Sequence, residues 1–315
     1  MVDSSNNDQN LMNKILNLPI FLYIDSRGKL EISKILHFFS AAPSTRLIEK
    51  NKIFFLLKGQ IEAQISFDNK NTYSFQFNPG EIINEIAFYN DSYPPESLTC
   101  INEVSGYYID PKDFKIFENQ NPQVAYYILR FLLKNISRKI RKINDSINTL
   151  DGSSQQITNG KTLLQRDSLV LTEAILQSIR ELPFFQAFTN EEFNRLMFDM
   201  KKWSISSGTV MFSEGEQGTS CFILVKGKVE VSIERNDEKF KLATFLPGKL
   251  FGEIALVHLG LRSARCTALE DIVVLELSKK DFERQTDVYS PLAYKLLKNI
   301  GLGLIDEYVH MPLPK

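Results

Sequence analysis

Two rhythms of apolar and polar residues run through the chain. Val229, Val231 and Ile233 are separated by Glu230, Ser232 and Glu234, the period of two expected of a strand buried on one face. Ile61, Ala63 and Ile65 repeat it in the first half, and Ile272 to Leu277 reads as a further strand. Lys58-Gly59 and Lys226-Gly227 precede these strands, and Pro79-Gly80 and Pro247-Gly248 follow them, dipeptides that turn a chain. The other rhythm is helical. Phe193, Leu196, Met197 and Met200 fall at i, i+3, i+4 and i+7 behind Thr189 and Glu192, the two ends of a capping box. Ile32, Ile35, Leu36 and Phe39 have the same spacing and predict a helix reaching Phe39. Asp110-Pro111 and Ser278 read as helix starts, proline standing where a missing N–H costs nothing. Many short strands between turns predict a β-sandwich or barrel.

The pattern occurs twice. A shift of 168 residues lays Lys58-Gly59 on Lys226-Gly227, Pro79-Gly80 on Pro247-Gly248, and Glu85-Ile86-Ala87 on Glu253-Ile254-Ala255. Without a gap it continues to Thr99 on Thr267, Asp113-Phe114 on Asp281-Phe282 and Ala125-Tyr126 on Ala293-Tyr294. Self-similarity held over that length means two copies of one folding unit.

Between the copies, Leu129, Leu133, Ile136, Ile140, Ile143, Ile147 and Leu150 step by four and three. That is a heptad seam, and an apolar stripe left exposed along a helix is costly. The helix is therefore expected to pair with its copy in a second chain, making a homodimer. The expected divisions are a polar segment 1–18, a first domain 19–120, the connecting helix 121–150, a polar linker 151–163 and a second domain 164–315.

Composition excludes more than it suggests. Lys and Arg number 37 against 38 acidic residues, giving a net charge of −1, so no overall field favours nucleic acid or an anionic membrane. The basic run 134–142 reads as the solvated face of the connecting helix. Neither a secretory signal nor an apolar run of membrane-spanning length is apparent, so a cytoplasmic protein is expected. Cys100, Cys221 and Cys266 lack metal or disulfide spacing, and His37, His258 and His310 are too scattered for a metal site or a triad.

The stretch FGEIALVHLGLRSARCTALED, 251–271, sets an acid and a base apart in an apolar loop. Gly252 lets a ligand approach the backbone, where free N–H groups favour an anion. Glu253 suits hydroxyls, and the fork of Arg262 suits a phosphate. A ligand with a sugar end and a phosphate end satisfies both.

This stretch resembles the phosphate-binding cassette of the cyclic nucleotide-binding domains, the family of the bacterial catabolite activator protein and the regulatory subunit of cyclic-AMP-dependent protein kinase. Phe251, Gly252, Glu253, Ile254, Ala255, Leu256, Arg262, Ser263 and Ala264 carry the likeness, and the Arg-Ser-Ala form is closer to the bacterial branch. Gly215 and Gly218 fall where that family turns before a strand. The resemblance implies a mainly β α+β fold of two jelly rolls, each flanked by helices and joined by the heptad helix. It implies that Glu253 holds a ribose 2′-hydroxyl and Arg262 the cyclic phosphate of cAMP or cGMP, with Ser263 touching phosphate or base. It also implies a lid from the helix after the second barrel, where Tyr294 and Tyr308 are the candidates. No metal or other cofactor is expected.

The first copy departs from this pattern. Asn84 stands for the glycine, Pro94 and Pro95 for Arg262 and Ser263, and Glu96 follows. Proline offers neither charge nor N–H, and an acid there repels phosphate, so this copy is expected to bind no cyclic nucleotide. Only fifteen residues follow Ile300, too few for a helix-turn-helix, and no Arg-Arg-x-Ser pseudosubstrate precedes the first copy. The expected function is a non-enzymatic cyclic nucleotide sensor acting on an unidentified protein partner. The alternative is a tandem scaffold that binds no nucleotide; a cupin-type enzyme lacks its histidine cluster.

Overall fold

A computed structural model of the chain describes residues 12–47, 52–66, 72–85, 96–150, 166–170, 172–235, 238–257 and 260–309. Chain contacts group it into two compact units, 1–132 and 133–314. The expected linker, 151–163, lies outside the described residues.

In the first unit a 3-10 turn, Pro19–Phe21, leads to helix α1, Ser26–Ser33, whose N-cap Asp25 accepts from the Gly28 N–H at 2.7 Å. Eight strands follow: β1 (His37–Ala41), β2 (Arg46–Leu47), β3 (Ile53–Lys58), β4 (Ile61–Ser66), β5 (Thr72–Phe77), β6 (Ile82–Ile83), β7 (Glu96–Cys100) and β8 (Val104–Ile109). They form two antiparallel sheets, β1-β8-β3-β6 and β2-β7-β4-β5. Then come α2, Pro111–Gln120, started by Asp110 and Pro111 as expected, and α3, Pro122–Leu150, which begins in the first unit and continues into the second after Leu132.

The second unit repeats this order. A short strand β9 (Asp167–Ser168), helix α4 (Glu173–Glu181) and a 3-10 turn (Pro183–Phe185) precede α5, Asn190–Asp199. Thr189 and Glu192 close the expected capping box on α5. The strands are β10 (Lys201–Ile205), β11 (Val210–Phe212), β12 (Ser220–Lys226), β13 (Val229–Arg235), β14 (Glu238–Phe245), β15 (Leu250–Phe251), β16 (Arg265–Ala268) and β17 (Ile272–Ser278). One turn of helix, α6 (Ile254–Val257), follows β15; α7 (Lys279–Gln285) and α8 (Pro291–Val309) follow β17. The sheets are β15-β12-β17-β10-β9 and β11-β16-β13-β14. Each unit is thus a jelly roll in a mixed α+β chain, the second with β9 added at one edge. Its core lies between the sheets: Phe222, Leu224, Phe251 and Val274 from one meet Phe212, Val229, Val231 and Cys266 from the other.

The repeat extends to register. Ile61 pairs with Cys100 and Val229 with Ala268, both partners displaced by 168 residues, and each barrel carries a bulge at the same place, between Leu56 and Lys58 and between Leu224 and Lys226. Upstream the displacement is 164: Asp25 matches Thr189 as N-cap, and the Arg46–Thr99 pair matches Val210–Thr267 up to that change. Four residues are therefore added in the second unit before β12, one in a bulge of β11 between Val210 and Phe212 and three in the loop 213–219.

Two expectations change. The helix predicted to reach Phe39 ends at Ser33, and Phe39 lies in β1 opposite Gly106, its ring against Phe54 at 5.0 Å. Four apolar positions at helical spacing do not outweigh a ladder with β8. In α3, Leu129, Leu133, Ile136 and Ile140 are already buried within the single chain. The stripe is not exposed over that span; the side chains of Ile143, Ile147 and Leu150 lie outside the described residues. No described helix is long and apolar enough to cross a membrane.

Candidate functional site

Strand β15 delivers the chain to Gly252, whose φ of 74° lies in the left-handed region where only glycine is unstrained. Glu253 follows, and its carbonyl accepts the Leu256 N–H at 2.9 Å as α6 begins. Glu253 is 2% exposed, and Ile254, Ala255 and Leu256 are buried beside it. Arg262 sits at the other end of this segment. Its backbone is locked to the loop 213–219, donating to the Glu216 carbonyl at 2.8 Å and accepting from the Gly215 N–H at 3.0 Å. Ala264 is buried and Ser263 half-buried.

The Arg262 side chain turns inward and is 7% exposed. Nη1 donates to the Gly252 carbonyl at 2.9 Å. The guanidinium carbon lies 4.1 Å above the Phe212 ring and 5.8 Å from that of Phe222. Phe212, Phe222 and Phe251 form a near-parallel stack, with centroids 5.6 to 6.2 Å apart, so the guanidinium rests on an aromatic floor. Its flanks are bare. A Cβ on Gly252 would stand 2.5 Å from Nη1; one on Gly218 would stand 2.9 Å from Nε and 2.5 Å from the Ala255 Cβ. Burial pushes the guanidinium pKa down, while the carboxylates of Glu216 and Glu253 push it up. Behind it, burial, helped by the charge of Glu253, raises the Cys221 thiol far above its ordinary value, so it stays protonated.

The acidic end is covered by α8. A Cβ on Gly303 would meet Leu250 Cδ2 at 2.8 Å and Glu253 Oε1 at 3.2 Å, so the helix backbone lies directly on the carboxylate. Along the same face, Lys295 pairs with Glu192 at 2.7 Å, Asn299 donates to the Phe184 carbonyl at 2.7 Å, and Asp306 pairs with Lys249. These positions, 295, 299, 303 and 306, share one helical stripe. Tyr294 is nine residues from Gly303, two and a half turns, which puts it on the opposite face about 13 Å along the axis; Lys298 Nζ lies 5.3 Å from its ring centroid. Tyr308 belongs to α8, but its side chain lies outside the described residues. The residue of α8 that lies on Glu253 is Gly303.

Glu253, Gly252 and Arg262 come together as their spacing predicts. Sequence reasoning missed Phe212, Phe222 and Gly303. A glycine inside a helix costs about 1 kcal/mol against alanine and so implies a packing reason, which was a usable signal for Gly303. Strand phenylalanines carry no such signal.

The first barrel keeps part of this geometry. Asn84, the counterpart of Gly252, is buried with φ 67° and donates from Nδ2 to the Lys52 carbonyl at 3.0 Å, and Glu85 is fully buried. Pro94 and Pro95 lie outside the described residues; Glu96 opens β7 opposite Ile65. The floor changes too: Phe222 corresponds to Phe54, but Phe251 to Ile83, and Phe212, opposite Cys266, to Leu47, opposite Leu98.

Residues 202–289, from β10 through α7, match the family model described as the cyclic nucleotide-binding domain. The chain is 27% identical over 157 residues to human cGMP-dependent protein kinase 2, covering 46% of this chain and 21% of that protein. It is 30% identical over 101 residues to the cyclic AMP receptor protein of Thermus thermophilus, covering 32% of this chain and 47% of that one. It therefore spans between about a fifth and a half of the length of these relatives. Among solved structures, the regulatory domain of Toxoplasma gondii PKA with cAMP is similar over 90% of this chain and 92% of that one, at 13% identity and a TM-score of 0.33, too slight a likeness to carry an argument.

Proposed function

We propose that the second barrel binds a cyclic nucleotide, cAMP or cGMP, and that the chain is a non-catalytic regulatory sensor acting through contacts with another protein. One observation carries this reading: an inward, buried guanidinium at Arg262 and a buried carboxylate at Glu253 stand at the two ends of one short segment, within residues that match the cyclic nucleotide-binding family. Arg262 takes the cyclic phosphate, Glu253 the ribose 2′-hydroxyl, and Ser263 the phosphate or base. Gly252, Ile254, Ala255 and Ala264 shape the walls. The first barrel, with Pro94, Pro95 and Glu96 at the phosphate end, takes no nucleotide and serves packing or a partner. Homodimerisation through α3 is part of the reading, but burial of the stripe as far as Ile140 leaves Ile143, Ile147 and Leu150 to support it.

A second reading, a tandem scaffold without ligand, is favoured by one feature. Glu253 is 2% exposed and lies against Gly303, so a ribose reaches it only if α8 shifts. Calorimetry with cAMP and cGMP separates the two. Heat with either nucleotide, lost in Arg262→Ala, supports the sensor; no heat with either supports the scaffold.

A further inference from the structure

We propose that Phe212 is a positioning residue for Arg262, setting the guanidinium in place before any phosphate arrives; in its consequence for ligand, this rests on the nucleotide-binding reading. A buried guanidinium needs compensation for the water it has lost. Here one hydrogen bond to the Gly252 carbonyl fixes Nη1, and the ring 4.1 Å beneath fixes the plane. The face of an aromatic ring attracts a cation, more strongly when both are desolvated. Phe212 in turn is held by Phe222 and Phe251, at 6.0 and 6.2 Å, so it cannot swing aside without disturbing the core. With bare glycines on both flanks, the guanidinium has a floor beneath it and no side chain crowding it.

The two barrels offer an internal comparison. Where Arg262 is replaced by Pro94, Phe212 and Phe251 are replaced by Leu47 and Ile83, while Phe54 keeps the ring of Phe222. The ring nearest the arginine's place disappears with the arginine, while that of Phe222, 5.8 Å from it, is kept as Phe54.

The test is a double-mutant cycle on the full chain with Phe212→Leu, which keeps most of the volume and removes the ring, and Arg262→Gln. Cyclic AMP affinity is expected to fall about tenfold on Phe212→Leu with Arg262 present, the weakening a desolvated cation–π contact supports, and less than about twofold in Arg262→Gln. Equal losses in both backgrounds overturn the proposal. If the unmodified protein takes up no cyclic nucleotide, the ligand reading fails by itself; in that case, and where Arg262→Gln binds too weakly to measure, the positioning role is read from urea unfolding with the same four proteins. Coupling between the two sites then sustains it, and additivity overturns it. Should Phe212→Leu fail to fold, fluorinated phenylalanines at 212 keep ring shape and weaken its attraction for cations. Midpoints falling stepwise with fluorine number in the Arg262 protein, but flat in Arg262→Gln, are the expected result, and parallel series overturn the proposal.

Discussion

Gly218 offers the sharpest test of how the arginine is held. Its backbone lies outside the left-handed region, so Gly218→Ala introduces crowding without conformational strain. The new methyl would stand 2.5 Å from the Ala255 Cβ, 2.9 Å from Arg262 Nε and 3.0 Å from Cζ. Carbon contacts settle near 3.5 to 4.0 Å, so roughly 1 Å must be found. The Ala255 Cβ cannot rotate away, being one bond from the backbone of α6, and the loop carrying Gly218 is tied to Gly260 at 3.2 Å. The guanidinium is the part that yields, leaving Phe212. Overpacking of this kind costs about 1 to 3 kcal/mol, less about 0.4 to 1 kcal/mol from the stiffer unfolded chain. A net loss of about 1 to 2 kcal/mol is expected in urea unfolding, with cyclic AMP affinity reduced about tenfold or more by the displaced fork. Gly208→Ala is the control: nothing lies within 4 Å of its would-be Cβ, but its φ is +79°. It is expected to lose about 1 to 2 kcal/mol through strain alone and to keep its affinity. Full stability and unchanged affinity in Gly218→Ala would refute the cradle.

Two further outcomes follow from the same geometry. Burial raises the Glu192 carboxyl pKa, but hydrogen bonds from Lys295 and the Thr189 N–H outweigh it and hold the group below its ordinary value; a depressed folded pKa gives stability that is present above the unfolded pKa and lost as pH falls through the folded one. Glu192→Gln should therefore lower stability at neutral pH and flatten the decline below about pH 4.5, as read from unfolding midpoints across pH. Ile136→Ala should cost about 2 to 5 kcal/mol, equally at micromolar and at hundredfold higher protein concentration, because that side chain is buried within one chain; a concentration-dependent midpoint would return it to an intermolecular seam.

Much of this architecture could be read before any coordinates. Alternation at 229–233 and 61–65, with glycine turns on either side, located β13 and β4, because one-sided burial leaves a period of two in sequence. Arg262 and Glu253 were legible because charged residues set in an apolar segment are uncommon and, when buried, need a partner. The helix reaching Phe39 was a misreading: four apolar positions fit helix and strand alike, and pairing with β8 decided between them. The heptad stripe correctly marked a covered face, but periodicity does not say what covers it. Which residue of α8 meets Glu253 depends on how that helix docks, which the spacing of its apolar positions does not set. The floor was invisible because Phe212, Phe222 and Phe251 look like ordinary core.

The four residues inserted before β12 make the two halves non-interchangeable. Grafting an arginine and a serine onto Pro94 and Pro95 would import the charge and none of its housing: the first barrel has no counterpart of the lengthened loop that brings Gly218 alongside, and Ile83 stands where Phe251 supports the stack. An engineer wanting two working pockets would have to transplant the loop, the floor and the arginine together. The two barrels thus differ in scaffold as well as in two side chains, and single substitutions at Pro94 or Pro95 do not convert one into the other.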